Sequence, residues 1–195
     1  MSAAEPARSD AAGIRLITLS ADVVQIAHLR GGARELAALA AARGWPLPGR
    51  GGVTAAARGV ALGVQPGRWL LLSAPGSSTE AAGGWEAALR GCGVAVDLSS
   101  ALRALYLTGP AVREVLARGC RLDLAPEVFR PGCAAATIMA QVPVILAVLA
   151  TGILLLTPST TARHFHEWLG STASPYGLGP QSDASVALVS ADALT

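Results

Sequence analysis

Residues 134–157 read AAATIMAQVPVILAVLATGILLLT, and any fold of this chain must either bury that run or place it in a bilayer. The run is long enough for one helix to cross the hydrocarbon core. Gln141 and Pro143 interrupt it early and Gly152 interrupts it late, dividing it into three shorter apolar pieces that suit buried strands in a meander. Proline alone does not exclude a membrane helix, because neighbouring helices can satisfy the freed backbone groups. No positive cluster flanks the run, and a well-capped amphipathic pattern follows it. A strand meander is therefore the expected structure, with a membrane-embedded chain as the competing one.

Such a run is affordable in a chain of this composition. Of its 195 residues 52% are hydrophobic and only 14% charged, whereas ordinary domains carry about a quarter charged residues. Mean hydropathy is +0.47. A surface so poor in charge is expected to meet a partner. The length suits one domain or two tightly joined halves. Net charge is +2, and the basic residues are all arginines scattered along the chain without a block, which speaks against nucleic acid as a partner. Cys92, Cys120 and Cys133 show no paired zinc-ligand spacing and no disulfide framework, so a reducing, cytoplasmic compartment is expected. Residues 1–13 lack the apolar core of a secretory signal and read as a flexible tail.

The clearest local unit is VDLSSALRALYLTGPAVREVLARGCRLDL, residues 96–124. Residues 101–108 read as a strand and Gly109-Pro110 as its turn, with Pro110 placed as a first helical residue. Val112, Val115 and Leu116 then form a helical apolar stripe, Glu114 and Arg118 an i,i+4 pair, and Gly119 a left-handed stop. Before this unit come strands at 14–19 and 23–29, a helix at 33–43 closed by Gly44, and a Pro/Gly loop at 45–52. A hairpin at 60–64 and 68–73 turns at Gln65-Pro66-Gly67, and a helix at 77–90, capped within Ser77-Ser78-Thr79, leads to a strand at 94–98. Residues 121–132 are a connector, and a helix at 160–169 closed by Gly170 carries Phe165, Trp168 and Leu169 inward. The expected fold class is α+β: two similar consecutive halves, 14–98 and 99–170, each a sheet of antiparallel or mixed strands with helices packed on it. Residues 171–195 read as a loose tail in which 186–189 could dock as an edge strand.

Candidate chemistry is sparse. His164 and His166 are two apart on a helix, about 200° around its axis, and cannot close on one ion. His164 with Glu167 lacks a third ligand. Asp97, Ser99 and Ser100 at a strand end could offer a carboxylate and hydroxyls to a ligand or make only local turn hydrogen bonds, and the local role is the expected one. Arg50 could meet an anion, although its loop is not a P-loop. There is no nucleophile elbow and no dinucleotide glycine fingerprint after a strand. We assign no catalytic, cofactor-binding or metal residue to this chain.

Four phrases taken together resemble the gamma subunit of heterotetrameric sarcosine oxidase: RGGARELAALAA from Arg30, ALGVQPGRWLLLSAP from Ala61, DLSSALRALYLTGPAVREVLARGCRLDL from Asp97 and LLLTPSTTARHFHEWL from Leu154. The Asp-Leu-Ser, strand, Gly-Pro, helix run is similar, more weakly, to the folate-binding fold of the glycine-cleavage T-protein. The first resemblance implies a small non-catalytic subunit of a flavoenzyme that oxidatively demethylates sarcosine or a related N-methyl amino acid. It places FAD, FMN, NAD, tetrahydrofolate and zinc in partner subunits: two larger flavoprotein subunits, alpha and beta, and a small zinc-binding one. It also implies packing against the folate-type domain of the largest subunit. The second implies a competing reading, a stand-alone folate or one-carbon binding protein in which Asp97 and Ser99 would meet a pterin or an amine. The first dozen residues and the chain after Gly170 match no phrase of either family.

Overall fold

The computed structural model describes residues 13–56, 58–76 and 78–186, with residues 78–82 by backbone alone. Eleven strands among the described residues form two sheets. One sheet holds β1 (Arg15–Ser20), β7 (Leu102–Thr108), β8 (Ala134–Met139), β9 (Val142–Val148), β10 (Ile153–Pro158) and β11 (Ser182–Ser185), in the order β11-β1-β7-β10-β9-β8. The other holds β2 (Asp22–His28), β3 (Gly52–Ala56), β4 (Gly59–Gln65), β5 (Arg68–Ser73) and β6 (Gly93–Asp97), in the order β3-β4-β5-β2-β6. All pairings but β1 with β11 are antiparallel. The helices are α1 (Ala33–Ala42), α2 (Ser78–Ala88), α3 (Val112–Ala117) and α4 (Ala162–Ala173).

Side-chain alternation along the strands arranges these elements in four layers. Ile153 and Leu155 of β10 join Val115, Leu116, Phe165 and Leu169 in a core beneath α3 and α4. Leu154 and Leu156 point the other way, into a core shared with Leu62, Leu70 and Leu72 of the opposite sheet. A third core sets Ile26 and Leu71 against Leu36 of α1 and Trp85 of α2. The order is helices, sheet, sheet, helices. A strand buried on both faces reads as a continuous apolar run, which accounts for residues 153–156. The hydrophobic stretch 134–157 is thus a three-strand meander, and no helix among the described residues is long and apolar enough to cross a membrane.

The α+β class stands, and the sheets are not divided as the chain is. β1 lies in the same sheet as β7 through β10, so the chain passes between sheets at Ala21 as well as near residue 98, and a split into 14–98 and 99–170 does not separate the sheets. The reason is packing. Ile14 and Leu16 belong to the α3/α4 core, whereas Val24 and Ile26, just beyond Ala21, belong to the α1/α2 core.

The loose tail expected after residue 170 is also corrected. α4 continues through Gly170 to Ala173, a 3-10 turn follows at Ser174–Tyr176, and β11 then pairs parallel with β1. Apolar anchors hold this segment, with Ala173 and Val186 buried. The Tyr176 hydroxyl donates to Glu114 Oε1 at 2.9 Å and accepts from Arg118 Nη2 at 2.6 Å. The docked edge strand is 182–185, ahead of the expected 186–189, of which 187–189 lie outside the described residues. So do the tail at 1–12 and Ser77 of the expected helix cap.

Two glycines in the clearest local unit serve different ends. Gly109 has φ +117°, and a Cβ there would stand 2.6 Å from the Gly13 carbonyl oxygen. Gly119 was expected to be left-handed and is not; a Cβ there would stand 2.5 Å from Trp168 Cζ2, so its smallness lets α4 approach α3. Pro110 lies in the turn before α3, which begins at Val112. Arg113 of that helix donates from Nη1 to the carbonyls of Leu124 (2.6 Å) and Phe129 (2.9 Å), pinning the connector at 121–132.

Leu116 is fully buried, so Leu116→Ala is expected to lower unfolding free energy by about 2–5 kcal/mol. Gly109→Val is expected to destabilise as well, because a β-branched residue is excluded from a positive φ and its Cβ has no room. Urea melts of both variants beside the parent test this register, and parental stability in either would contradict it.

Candidate functional site: an uncovered groove between the sheets

The polar candidates resolve into local structure. Asp97 ends β6, and its Oδ1 accepts hydrogen bonds from the Ser99 N–H (2.9 Å) and the Ser99 hydroxyl (2.6 Å). Ser99 Oγ in turn accepts from the Val23 N–H at 3.0 Å. The motif ties the β6–β7 turn to the start of β2. The hydroxyl, followed by the backbone N–H, of Ser99 holds the Asp97 carboxyl below the usual carboxylate range, with weak desolvation opposing. Ser100 is exposed in the same turn.

The remaining candidates are not brought together. His164 is exposed and His166 half-buried on α4, where Glu167 approaches Arg163 at 4.0 Å. Arg50 is exposed in the loop before β3. Cys92 is buried under α2, and Cys120 and Cys133 lie at the edge of the α3/α4 core, all three as free thiols. No group of three or more His, Cys, Asp or Glu side chains among the described residues is arranged to hold a metal.

The structure offers a surface in place of a polar constellation. The facing sheets share a core around Leu62, Leu72, Ala104 and Leu154, but at its margin Val64, Leu98, Leu102 and Ile145 are only partly buried. Two cavities of about 150 Å³ and 220 Å³ open there and share Leu102 and Ile145 as floor. One is walled by the five-stranded sheet through Gln25, Val64, Arg68 and Leu70. The other runs along Ala136, Pro143, Leu156 and Pro158 of the six-stranded sheet.

Cross-strand pairing extends this face on both sides. Val96 is opposite Gln25 and Val94 opposite Ala27, so both valines continue the Gln25 face onto the outer strand β6. Ile138 is opposite Pro143 on the outer strand β8. Val94, Val96 and Ile138 are 48%, 45% and 45% exposed, among the few large apolar side chains left in solvent. An apolar edge strand open to water is an association hazard unless something covers it.

Sequence reasoning missed this groove. The signal that could have found it is in β6, Gly93–Asp97, where Ala95 faces the α1/α2 core and Val94 and Val96 face outward. A strand with one solvated face ordinarily alternates apolar with polar residues.

No family model matches the chain. Over 113 residues it is 43% identical to the sarcosine oxidase subunit gamma of an Arthrobacter species; the match covers 56% of this chain and 55% of that one, about half of each. Its fold is similar to a chain of the heterotetrameric sarcosine oxidase from Corynebacterium sp. U-96, solved in complex with pyrrole 2-carboxylate, with 25% identity and a TM-score of 0.74 over 86% of this chain and 87% of that one. It is also similar to the glycine cleavage system aminomethyltransferase T from Bartonella henselae, with 16% identity and a TM-score of 0.62 over 92% of this chain and 49% of that one, a likeness of fold alone. The chain thus resembles sarcosine oxidase subunit gamma in sequence and has the α+β fold seen in both solved structures.

Proposed function

We propose that this chain is a subunit of a heterotetrameric oxidoreductase of the sarcosine oxidase kind and supplies structure to it without a reaction centre of its own. The single observation that carries the reading is the coincidence of 43% identity to a gamma subunit with a fold that matches a chain of the solved heterotetramer across 86% of this one. On this reading the complex oxidatively demethylates sarcosine or a related N-methyl amino acid. Its products are glycine, formaldehyde or methylene-tetrahydrofolate, and hydrogen peroxide. FAD, FMN, NAD, tetrahydrofolate and zinc belong to the alpha and beta subunits and a small zinc-binding subunit. This chain packs on the folate-type domain of the largest subunit, in the cytoplasm.

The test is co-expression of the full chain with the two large flavoprotein subunits and the small zinc-binding one. The isolated chain is expected to show no flavin absorbance and no peroxide formation with sarcosine. The co-purified assembly is expected to be yellow, active and to contain this chain. Flavin or turnover in the isolated chain, or failure to co-purify with folded partners, would overturn the reading.

Asp97 separates this role from a stand-alone folate-binding protein. Its folded pKa is lowered by Ser99, so the turn contributes stability above the ordinary value of 3.8 and loses it as pH falls through the lower folded value. Asp97→Asn is expected to lower stability slightly at neutral pH, to flatten the acid limb of the stability curve and to leave turnover of the assembled complex within about twofold. Melts from pH 2 to 7 and steady-state assays check this. A large loss of turnover without loss of assembly would give Asp97 a ligand-binding role instead.

A further inference from the structure

The groove at the margin of the two-sheet core carries an inference that rests on the subunit reading and deepens it. We propose that the groove floored by Leu102 and Ile145 is where a larger partner subunit docks, through an apolar segment carrying one carboxylate that meets Arg68. The larger cavity is lined by apolar side chains apart from Thr137, and the smaller sets Gln25, Gln65 and Arg68 beside Val64, Leu70, Leu102 and Ile145. The face continues onto outer strands at both sides, where Val96 and Ile138 are nearly half exposed. An interface that is permanent in the assembled complex resembles a bisected core, and this face is the inner layer of a two-sheet core that the opposite sheet does not cover.

Charge specifies the partner's chemistry. Arg68 is the one charged side chain lining either cavity. It is exposed, its hydrogen bond is a long one to Gln65 Oε1 (3.4 Å), and among the described residues it has no ion pair. Asp97, on the outer strand β6, is committed to Ser99. A guanidinium at the rim of an apolar groove matches a carboxylate in geometry and charge, and the match selects the docking register.

The experiment uses the full chain with its partner subunits. Val96→Lys, Ile138→Lys and Arg68→Glu are each expected to weaken association by about tenfold or more, and Arg68→Lys to weaken it less than Arg68→Glu. Val128→Lys is the control. Val128 is 58% exposed in the connector at 121–132, beside Phe129, which packs into the α3/α4 core on the opposite side of the six-stranded sheet. Each variant is compared with the parent by thermal melt, so that loss of folding is not read as loss of docking. If the parent assembles and the folded groove variants assemble equally well, the groove assignment fails and the subunit reading stands. If the parent itself does not assemble with folded partners, the subunit reading fails and the groove assignment with it. If instead the isolated chain self-associates and the same substitutions abolish that, the occupant is a second copy and the proposal is overturned.

Discussion

The structure depends on one packing event, the stacking of two sheets through a shared core of leucine, valine and alanine. Each central strand in such a stack has a second sheet on one side and helices on the other. β10 shows the consequence most plainly: residues 153–157 are all buried, with Ile153 and Leu155 under the helices and Leu154 and Leu156 between the sheets. The low charge and high hydropathy follow from the same constraint, since four layers leave few strand positions in solvent. Hydrophobic burial is non-directional, so precise placement comes from small residues and polar ties such as Gly119 beneath Trp168 and Tyr176 between Glu114 and Arg118.

That stacking also creates the groove. Two sheets whose inner faces overlap only in part leave apolar surface at the ends of their strands. Here the surface lies on both sides of Leu102 and Ile145 and reaches β6 and β8, the outer strands of their sheets. The polar groups that sequence inspection singles out are spent on architecture, as with Asp97 and Ser99, or stand apart, as with His164 and Arg50.

Much of the fold was legible wherever a local signal and the tertiary environment agree. Gln141 and Gly152 mark the two breaks in the long apolar run, whereas Pro143, expected to interrupt it, lies inside β9 opposite Ile138; Gln65-Pro66-Gly67 turns its hairpin, and Gly44 ends α1 with φ +78°. Other elements depend on partners far along the chain. β11 is SDAS, without a strand-forming residue, and exists by parallel pairing with β1. β3, GVTAA, follows a glycine-rich loop and was read as part of no strand. The β8–β9 turn places Ala140 and Gln141 at φ +48° and +66°, the geometry of a two-residue hairpin, without the glycine or asparagine that ordinarily announces it. The local role of Asp97 was legible because it involves a residue two positions away. The groove was not, because it is assembled from both sheets by residues as far apart as Gln25 and Pro158.

The central claim is that this chain acts through its uncovered inter-sheet face. Backbone hydrogen exchange of the full chain, free and within the assembled complex, tests it most directly, because a partner seated on this face slows the local opening of the outer strands beneath it. The account predicts added protection concentrated at residues 94–98 and 136–145, with α1 and α4 unchanged. Protection confined to the helical outer layers, with residues 94–98 and 136–145 exchanging as in the free chain, would contradict it.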